Sequence, residues 1–366
     1  MFAEVDPTLS PPALSPLLLV RADASARIGA GHVMRCLALA QAWIDAGGRA
    51  LFASHALPEA LARRLAEEGI AVEAVTAEPG SPEDARQCAA LALARRAAWV
   101  VTDGYGFGDT YHTPLCAGGF RVLTFDDKGH LERYVVDLVL NPNIQAGEID
   151  YGARAPHTRL LLGCRYAPLR REFRAAPAAP RLHPPLARRL LLMLGGSDPH
   201  GHTGRLLGSL TRPGAPELEI TVVAGPTNRA RAELARRWRG AEDRVRVLVD
   251  VREMTPLILA ADLAVSSAGS AVWEMARFGT PMVLGAMLDV EVLLASRLAR
   301  AGGCLYLGPL DELEPERLIA TLAALLSDRD ARARLGETAV ALVDGQGAAR
   351  VVAEMIGADA PSLGRE

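Results

Sequence analysis

The chain has 366 residues, of which 50% are hydrophobic and 5% aromatic, and its formal net charge is −3. This composition excludes a disordered chain, and the length is sufficient for two domains of ordinary size. The slightly acidic balance provides no basic field, so we expect no nucleic-acid partner. The five cysteines have no Cys-X-X-Cys spacing, which argues against a disulfide framework or a zinc site.

The first sixteen residues contain Asp, Glu and four prolines. They lack the positive start and apolar core of a signal peptide, so we predict a disordered or extended tail over 1–16. No apolar run approaches the roughly 20 residues of a membrane-spanning helix. The sequence therefore predicts a cytoplasmic protein with no membrane partner.

The first predicted element is a strand at 17–20, followed by the loop Gly29-Ala-Gly31 and a helix that begins near His32. The apolar residues that recur on one face of this helix are Val33, Leu37, Ala40 and Ile44. A helix N-terminus offers unpaired N–H groups and a positive dipole end, which disfavours a protonated imidazole. His32 is therefore a candidate base. The alternative is a plain tight turn with a histidine on the surface.

Strands and helices alternate through the rest of this half, which predicts a parallel sheet covered on both faces. The further strands are predicted at 50–54, 71–75, 99–102, 121–125 and 137–140. Ligands of such sheets bind at the carboxyl ends of the strands. The polar candidates in that class of position are His32, Asp103, Tyr105, Asp126, Asp127, Asn141 and Asn143. For the pair at 126–127 we expect hydrogen bonds to substrate or loop, and no metal.

A proline-rich segment at 175–185 is predicted to be a linker, because proline does not fit a helix interior or a central strand. A second alternating half follows, with strands at 190–194, 220–224, 246–249, 262–266, 282–284 and 304–307. The fold class is therefore α/β, with two Rossmann-like domains at 17–174 and 186–340 that face each other across a cleft. A helix and tail at 341–366 are predicted to pack back on the N-terminal domain.

Two glycine and serine loops follow strands of the second half, Gly195-Gly-Ser197 and Ser266-Ser-Ala-Gly-Ser270. Each would present backbone N–H groups and hydroxyls that suit a diphosphate. Glu274 follows one helical turn later and can accept two hydrogen bonds from a ribose diol. Either loop alone is compatible with a plain turn, but together with Glu274 they predict a nucleotide site.

These motifs, in this order, resemble the UDP-sugar hydrolase family of pseudaminic acid biosynthesis, over about residues 17–355. That family has the GT-B fold of a lipid II-type N-acetylglucosaminyltransferase. The segments that carry the resemblance are Arg21-Ala-Asp, Gly29-X-Gly-His-Val-Met-Arg-Cys36, Asp103-Gly-Tyr105, Asp126-Asp127, Asn141-Pro-Asn143, Arg165-Tyr-Ala-Pro-Leu-Arg-X-Glu-Phe173, Gly195-Gly-Ser-Asp-Pro199, Ser267-Ala-Gly-Ser-X-X-Trp-Glu-Met275 and Asp344-Gly-X-Gly347-X-X-Arg-Val351.

The resemblance implies hydrolysis of UDP-2,4-diacetamido-2,4,6-trideoxy-β-L-altropyranose to UDP and the free sugar, without a metal or cofactor. We expect the protein to be a monomer. The sugar is a precursor of a nonulosonic acid used in flagellin glycosylation. His32 would activate the water, with inversion at the anomeric carbon. The residues implied on the sugar side are Arg21, Gly31, Asp103, Tyr105, Asp126, Asn141, Arg170 and Glu291. Those implied on the UDP side are Gly195, Gly196, Ser197, Ser267, Gly269, Ser270 and Glu274.

The sequence departs from the family at Val290-Glu291, where the family has an Asn-Gln pair. A carboxylate accepts hydrogen bonds but lacks the amide donors. Two alternatives to the hydrolase therefore stay open. One is a GT-B glycosyltransferase that passes the sugar to an acceptor hydroxyl, and the other is a non-catalytic protein that binds a UDP-sugar.

Overall fold

The structure, a computed structural model, describes residues 15–177, 179–241 and 243–358. The tail predicted at 1–16 falls almost entirely on residues outside this description, as do the last eight residues of the tail predicted at the C-terminus.

The N-terminal half contains a seven-stranded sheet in the order β3-β2-β1-β4-β5-β7-β9, with every neighbouring pair parallel. A parallel sheet needs helices on its faces, which the connections provide. The strands are β1 Leu17–Ala22, β2 Arg49–Ser54, β3 Ala71–Ala74, β4 Ala97–Asp103, β5 Arg121–Phe125, β6 Arg133–Tyr134, β7 Leu138–Asn141, β8 Ala153–Arg154 and β9 Arg159–Leu162; β6 and β8 form a separate small pair. The helices are α1 Gly31–Asp45, α2 Glu59–Glu67, α3 Pro82–Arg95, α4 Asp109–Ala117 and α5 Arg171–Ala175.

The C-terminal half contains a six-stranded sheet in the order β12-β11-β10-β13-β14-β15, again parallel. Its strands are β10 Arg189–Met193, β11 Glu219–Ala224, β12 Val245–Val249, β13 Leu263–Ser267, β14 Met282–Ala286 and β15 Leu305–Pro309. The helices are α6 His202–Thr211, α7 Arg231–Arg237, α8 Thr255–Ala260, α9 Ala271–Ala276, α10 Asp289–Arg300, α11 Pro315–Ser327, α12 Arg329–Leu342 and α13 Gly347–Ala358.

The chain passes onto the C-terminal half before the proline-rich segment. Phe173 is buried in the core of that half, with its ring 6.3 Å from the ring of Phe278. Arg181, inside the predicted linker, donates hydrogen bonds to the carbonyl oxygens of Ile258 and Ala261. The described part of this segment is thus held against the C-terminal half, while the domain limits at 17–174 and 186–340 stay a prediction.

The last helix returns to the N-terminal half. Val351 and Met355 of α13 are fully buried in the same apolar core as Val33 and Leu37 of α1. Because α12 packs in the other half, near Phe278, the chain crosses between the two halves a second time. Two crossings fix the halves relative to each other more firmly than one would.

Candidate functional site

Residues that follow the strands of both sheets line a cleft of about 470 Å³. This volume lies within the range of sites that hold small organic ligands. The two halves touch at its floor, where a Cβ added to Gly196 would lie 2.9 Å from the backbone nitrogen of Ala30. Glycine is therefore required at position 196 for the loops to approach this closely.

His32 lies at the start of α1, where the side chain reaches the cleft. Its Nδ1 is 2.6 Å from Oδ1 of Asp103, the last residue of β4. Arg35, one turn along α1, donates to both oxygens of the same carboxylate, at 2.6 Å and 2.7 Å. An ionised carboxylate only accepts hydrogen bonds, so Nδ1 of His32 carries the proton and Nε2 is free to accept one.

Asp103 is 1% exposed. Burial alone would raise its pKa, but the charge of Arg35 and the hydrogen bonds from Arg35 and His32 outweigh that effect and hold the pKa well below the usual range. Asp103 is therefore ionised at neutral pH. This arrangement fixes the ring of His32 in one orientation and stabilises the imidazolium that forms when Nε2 takes a proton.

Asp127 and Asn143 also line the cleft, on the same side as His32. Asp127 accepts a hydrogen bond from Nη1 of Arg35 at 2.7 Å and another from the amide of Asn143 at 2.8 Å. Arg35 thus joins the carboxylates of Asp103 and Asp127 through one guanidinium. Tyr105 completes this side, with its ring 5.5 Å from that of His32 and perpendicular to it.

Asp126 and Asn141 were predicted on the sugar side, but the structure places both away from the cleft. Asp126 is 2% exposed and accepts hydrogen bonds from the backbone N–H groups of Lys128 and Gly129. Asn141 is fully buried and donates to the hydroxyl of Tyr151 at 2.9 Å. Asp127 and Asn143, in the loops after the same two strands, are the residues that line the cleft.

Arg21 was also predicted on the sugar side, but the structure gives its side chain other partners. Its side chain is fully buried beneath the cleft and does not line it. The guanidinium donates two hydrogen bonds to Asp84, at 2.9 Å and 3.0 Å, and one to Asp23 at 2.7 Å. Arg21 therefore ties β1 to α3. Asp103, likewise predicted on the sugar side, holds His32 and is not among the residues that line the cleft.

The predicted UDP-side residues all line the cleft, and they come from the ends of β10 and β13 and the start of α9. They are Gly195, Gly196, Ser197, Ser267, Gly269, Ser270 and Glu274. Gly195 has a φ of +71°, a conformation that costs a residue with a Cβ more than it costs glycine. Gly31, predicted on the sugar side, faces the hydroxyl of Ser270 from the other half of the molecule.

Glu274 and Arg170 meet in the cleft, where Nη2 of Arg170 donates to the carboxylate at 3.1 Å. Burial raises the pKa of Glu274, while the charge of Arg170 opposes this shift. Glu291 lines the cleft as well, and one of its oxygens accepts the backbone N–H of Met287 at 2.7 Å. Burial also raises the pKa of Glu291. Each carboxylate therefore has one anchored oxygen and faces the cleft.

Comparisons with known proteins identify the fold. Residues 208–342 match the glycosyltransferase family 28 C-terminal domain. The crystal structure of Acinetobacter baumannii MurG superposes with a TM-score of 0.61 at 16% identity, covering 93% of this chain and 99% of that one. The chain therefore has the GT-B fold, as the sequence predicts.

Three relatives are similar in sequence. The spore coat polysaccharide biosynthesis protein SpsG of Bacillus subtilis is 29% identical over 238 residues, 64% of this chain and 68% of the relative. An N-acetylglucosamine transferase of Sorangium cellulosum that uses UDP-N-acetylglucosamine and an undecaprenol-linked acceptor is 30% identical over 213 residues, 56% of this chain and 50% of the relative. A Campylobacter jejuni UDP-2,4-diacetamido-2,4,6-trideoxy-β-L-altropyranose hydrolase is 22% identical over 259 residues, 70% of this chain and 86% of the relative.

Together, the fold, the family match and these relatives support a nucleotide-sugar enzyme of the GT-B fold. Within the part of the chain that the structure describes, no helix has the length and hydropathy needed to cross a membrane.

Proposed function

We propose that the protein hydrolyses a UDP-linked diacetamido-trideoxy sugar to UDP and the free sugar, with His32 as the general base. The observation that carries this proposal is the His32–Asp103–Arg35 arrangement, which leaves Nε2 of His32 free in a cleft whose opposite wall is formed by the glycine and serine loops. The Campylobacter jejuni hydrolase, whose printed substrate is such a sugar nucleotide, supports the choice of substrate.

In the proposed reaction, Nε2 of His32 takes a proton from water as the water oxygen bonds to the anomeric carbon. The bond from that carbon to the phosphate oxygen breaks, and UDP leaves with the electron pair. Backbone N–H groups of the loops at 195–197 and 267–270 would face the charge that develops on the diphosphate. Asp103 stabilises the imidazolium. Attack opposite the leaving group inverts the anomeric carbon.

A glycosyltransferase is the second candidate, and two observations favour it. The C-terminal domain matches a glycosyltransferase family, and the Sorangium relative is named as a transferase. In addition, Ile28 and Leu288 line the cleft although they are 43% and 58% exposed. Such an apolar rim suits an acceptor with an apolar portion. The same base would then take the proton of an acceptor hydroxyl.

A UDP-release assay with a panel of donors separates these candidates. The panel contains the diacetamido altropyranose donor and UDP-N-acetylglucosamine, each with and without an undecaprenol-linked acceptor. Release in water alone, with an inverted free sugar detected by NMR, is expected for the hydrolase. Release that requires the acceptor would instead establish the transferase. UDP binding without release from any donor would contradict both enzymatic proposals.

Replacing Gly196 with alanine should weaken UDP binding by about tenfold or more. The added Cβ would lie 2.9 Å from the nitrogen of Ala30 and 3.1 Å from the hydroxyl of Thr227, so the loops must separate, and a small displacement in a binding site is costly. Calorimetry with UDP measures the effect. Gly208→Ala is the matched control, because a Cβ there meets no atom within 4 Å. Equal affinities in the two variants would contradict the proposed role of the 195–197 loop.

Replacing Asp127 with asparagine should lower kcat/KM for UDP release by about 10- to 100-fold. The carboxylate is held by Arg35 and Asn143 and lines the cleft beside His32, where it is placed to accept hydrogen bonds from the sugar. A hydrogen bond to a charged group is worth about 1.5–3 kcal/mol, which corresponds to this range. Asp150→Asn, at an exposed residue that does not line the cleft, is the control and should keep the wild-type kcat/KM. An unchanged kcat/KM in Asp127→Asn would remove this residue from the proposed site.

A further inference from the structure

Two histidines and one aspartate come together outside the cleft, at a corner of the C-terminal half. His200 lies in the turn that follows the 195–197 loop, and His202 is the first residue of α6. Asp311 lies in the short 3₁₀ turn Leu310–Glu312 that follows β15. None of the three lines the cleft, so this cluster is separate from the site described above.

Two of the three distances between their ligand atoms match those of a tetrahedral metal site. Oδ1 of Asp311 lies 3.3 Å from Nδ1 of His200 and 3.3 Å from Nε2 of His202. Neighbouring ligand atoms of a tetrahedral ion are about 3.3 Å apart when the bonds are about 2.0–2.1 Å long, because the edge of a tetrahedron is about 1.6 times the distance from its centre to a vertex. The three ligand atoms all lie within 4.8 Å of one another.

An independent observation is that Nε2 of His202 is buried without a partner. The side chain is 4% exposed, and among the described residues Nε2 makes no hydrogen bond, although it points toward the carboxylate of Asp311. Buried polar atoms nearly always have a partner. An ion bound between the two rings and the carboxylate would supply the missing one.

Metal binding at this cluster must break the hydrogen bond between Arg205 and His202. Nη2 of Arg205 lies 3.2 Å from Nδ1 of His202, so without an ion the ring accepts at Nδ1 and carries its proton on Nε2. Coordination through Nε2 moves that proton to Nδ1 and ends this hydrogen bond. The guanidinium keeps its bonds to the carbonyl oxygens of Leu310 and Leu313.

We propose that His200, His202 and Asp311 bind one divalent transition-metal ion of the zinc type. Two imidazoles and one carboxylate form a ligand set that zinc accepts, with a water in the fourth position. Bound there, the ion joins the turn after the 195–197 loop to the turn after β15. It stabilises one wall of the cleft and takes no part in the proposed hydrolysis. The sequence predicts no metal site, because Asp311 follows the two histidines by more than 100 residues.

Titration of the untagged, chelator-treated chain with zinc chloride tests the proposal. Calorimetry is expected to give one ion per chain, and the ion should raise the midpoint of thermal unfolding. His200→Ala and Asp311→Asn should each weaken binding at least tenfold. Both side chains are more than half exposed, so these variants keep the fold, which circular dichroism verifies.

His157→Ala is the control, since this exposed histidine lies in the other half of the molecule. Cobalt provides a second readout, because a tetrahedral Co²⁺ site absorbs visible light and an octahedral aqueous ion does so only weakly. The absence of stoichiometric binding would overturn the proposal. So would zinc binding that His200→Ala and Asp311→Asn leave unchanged. Neither result depends on the hydrolase assignment.

Discussion

Replacing His32 with asparagine should lower the turnover number for UDP release by about 10²- to 10⁴-fold, the usual contribution of a general base. The asparagine amide can still donate a hydrogen bond to Asp103, which His32 contacts at 2.6 Å through Nδ1. It has no atom that replaces Nε2 as a proton acceptor. The variant therefore removes the base while leaving the hydrogen bond beneath it. UDP release under single-turnover conditions measures the loss.

Two control measurements test whether the loss of turnover comes from the missing base alone. UDP affinity, measured by calorimetry, should remain unchanged in His32→Asn, because the proposed UDP side lies on the opposite wall of the cleft. His55→Asn, an exposed histidine in the N-terminal half, should retain the wild-type turnover. Turnover of His32→Asn within threefold of the wild type would show that another group takes the proton, and the proposed mechanism would fail.

Replacing Asp84 with alanine should destabilise the N-terminal half by about 3–5 kcal/mol, the usual result of removing one partner from a buried ion pair. Asp84 and Arg21 are both fully buried, and two hydrogen bonds join them. The hydroxyl of Tyr111 and the backbone N–H of Gly80 also donate to this carboxylate. Among the described residues, the variant leaves buried Arg21 with Asp23 as its one remaining carboxylate partner. Urea titration followed by tryptophan fluorescence and circular dichroism measures the change.

Glu83 provides the matched control, because it precedes Asp84 on the same helix and its ion pair with Arg86 is exposed. Exposed pairs contribute about 0–1 kcal/mol, so Glu83→Ala should shift the free energy of unfolding by less than 1 kcal/mol. If Asp84→Ala shifts it by no more than Glu83→Ala does, Arg21 is not held in the way that the structure describes.

The sequence predicts the order of elements well, because alternating strands and helices have strong periodic patterns. The sequence predicts the cleft-lining residues less well, because that position depends on the direction in which each side chain points. Asp126 and Asp127 are adjacent and chemically identical, and only the backbone conformation of the loop after β5 decides which of them faces the cleft. Arg21 illustrates a second difficulty. Its partner Asp84 lies 63 residues away, and nothing local in the sequence indicates that an ion pair buries both residues.

The proposed metal-ligand cluster shows most clearly that residues far apart in the sequence can form one site. His200 and His202 are two residues apart, but Asp311 follows them by more than 100 residues. A spacing rule searches for ligands within one segment, whereas here α6 packs against the turn after β15, where Arg205 donates to the carbonyl oxygens of Leu310 and Leu313. The proline-rich segment is also held by residues that are distant in the sequence. Its Arg181 donates hydrogen bonds to carbonyl groups of the segment at 258–261, and a run of prolines does not predict that contact.

By itself, the sequence determined the α/β class, the two alternating halves, the glycine and serine loops at the strand ends, and the position of His32 at the start of a helix. These features follow from local periodicity, turn residues and the polarity of strand ends. The tertiary structure alone decided that Asp103 and Arg35 hold His32, that Asp127 and Asn143 face the cleft, and that Arg21 lies beneath it. Such pairings depend on strand register and helix packing, which bring together residues that are distant in the chain.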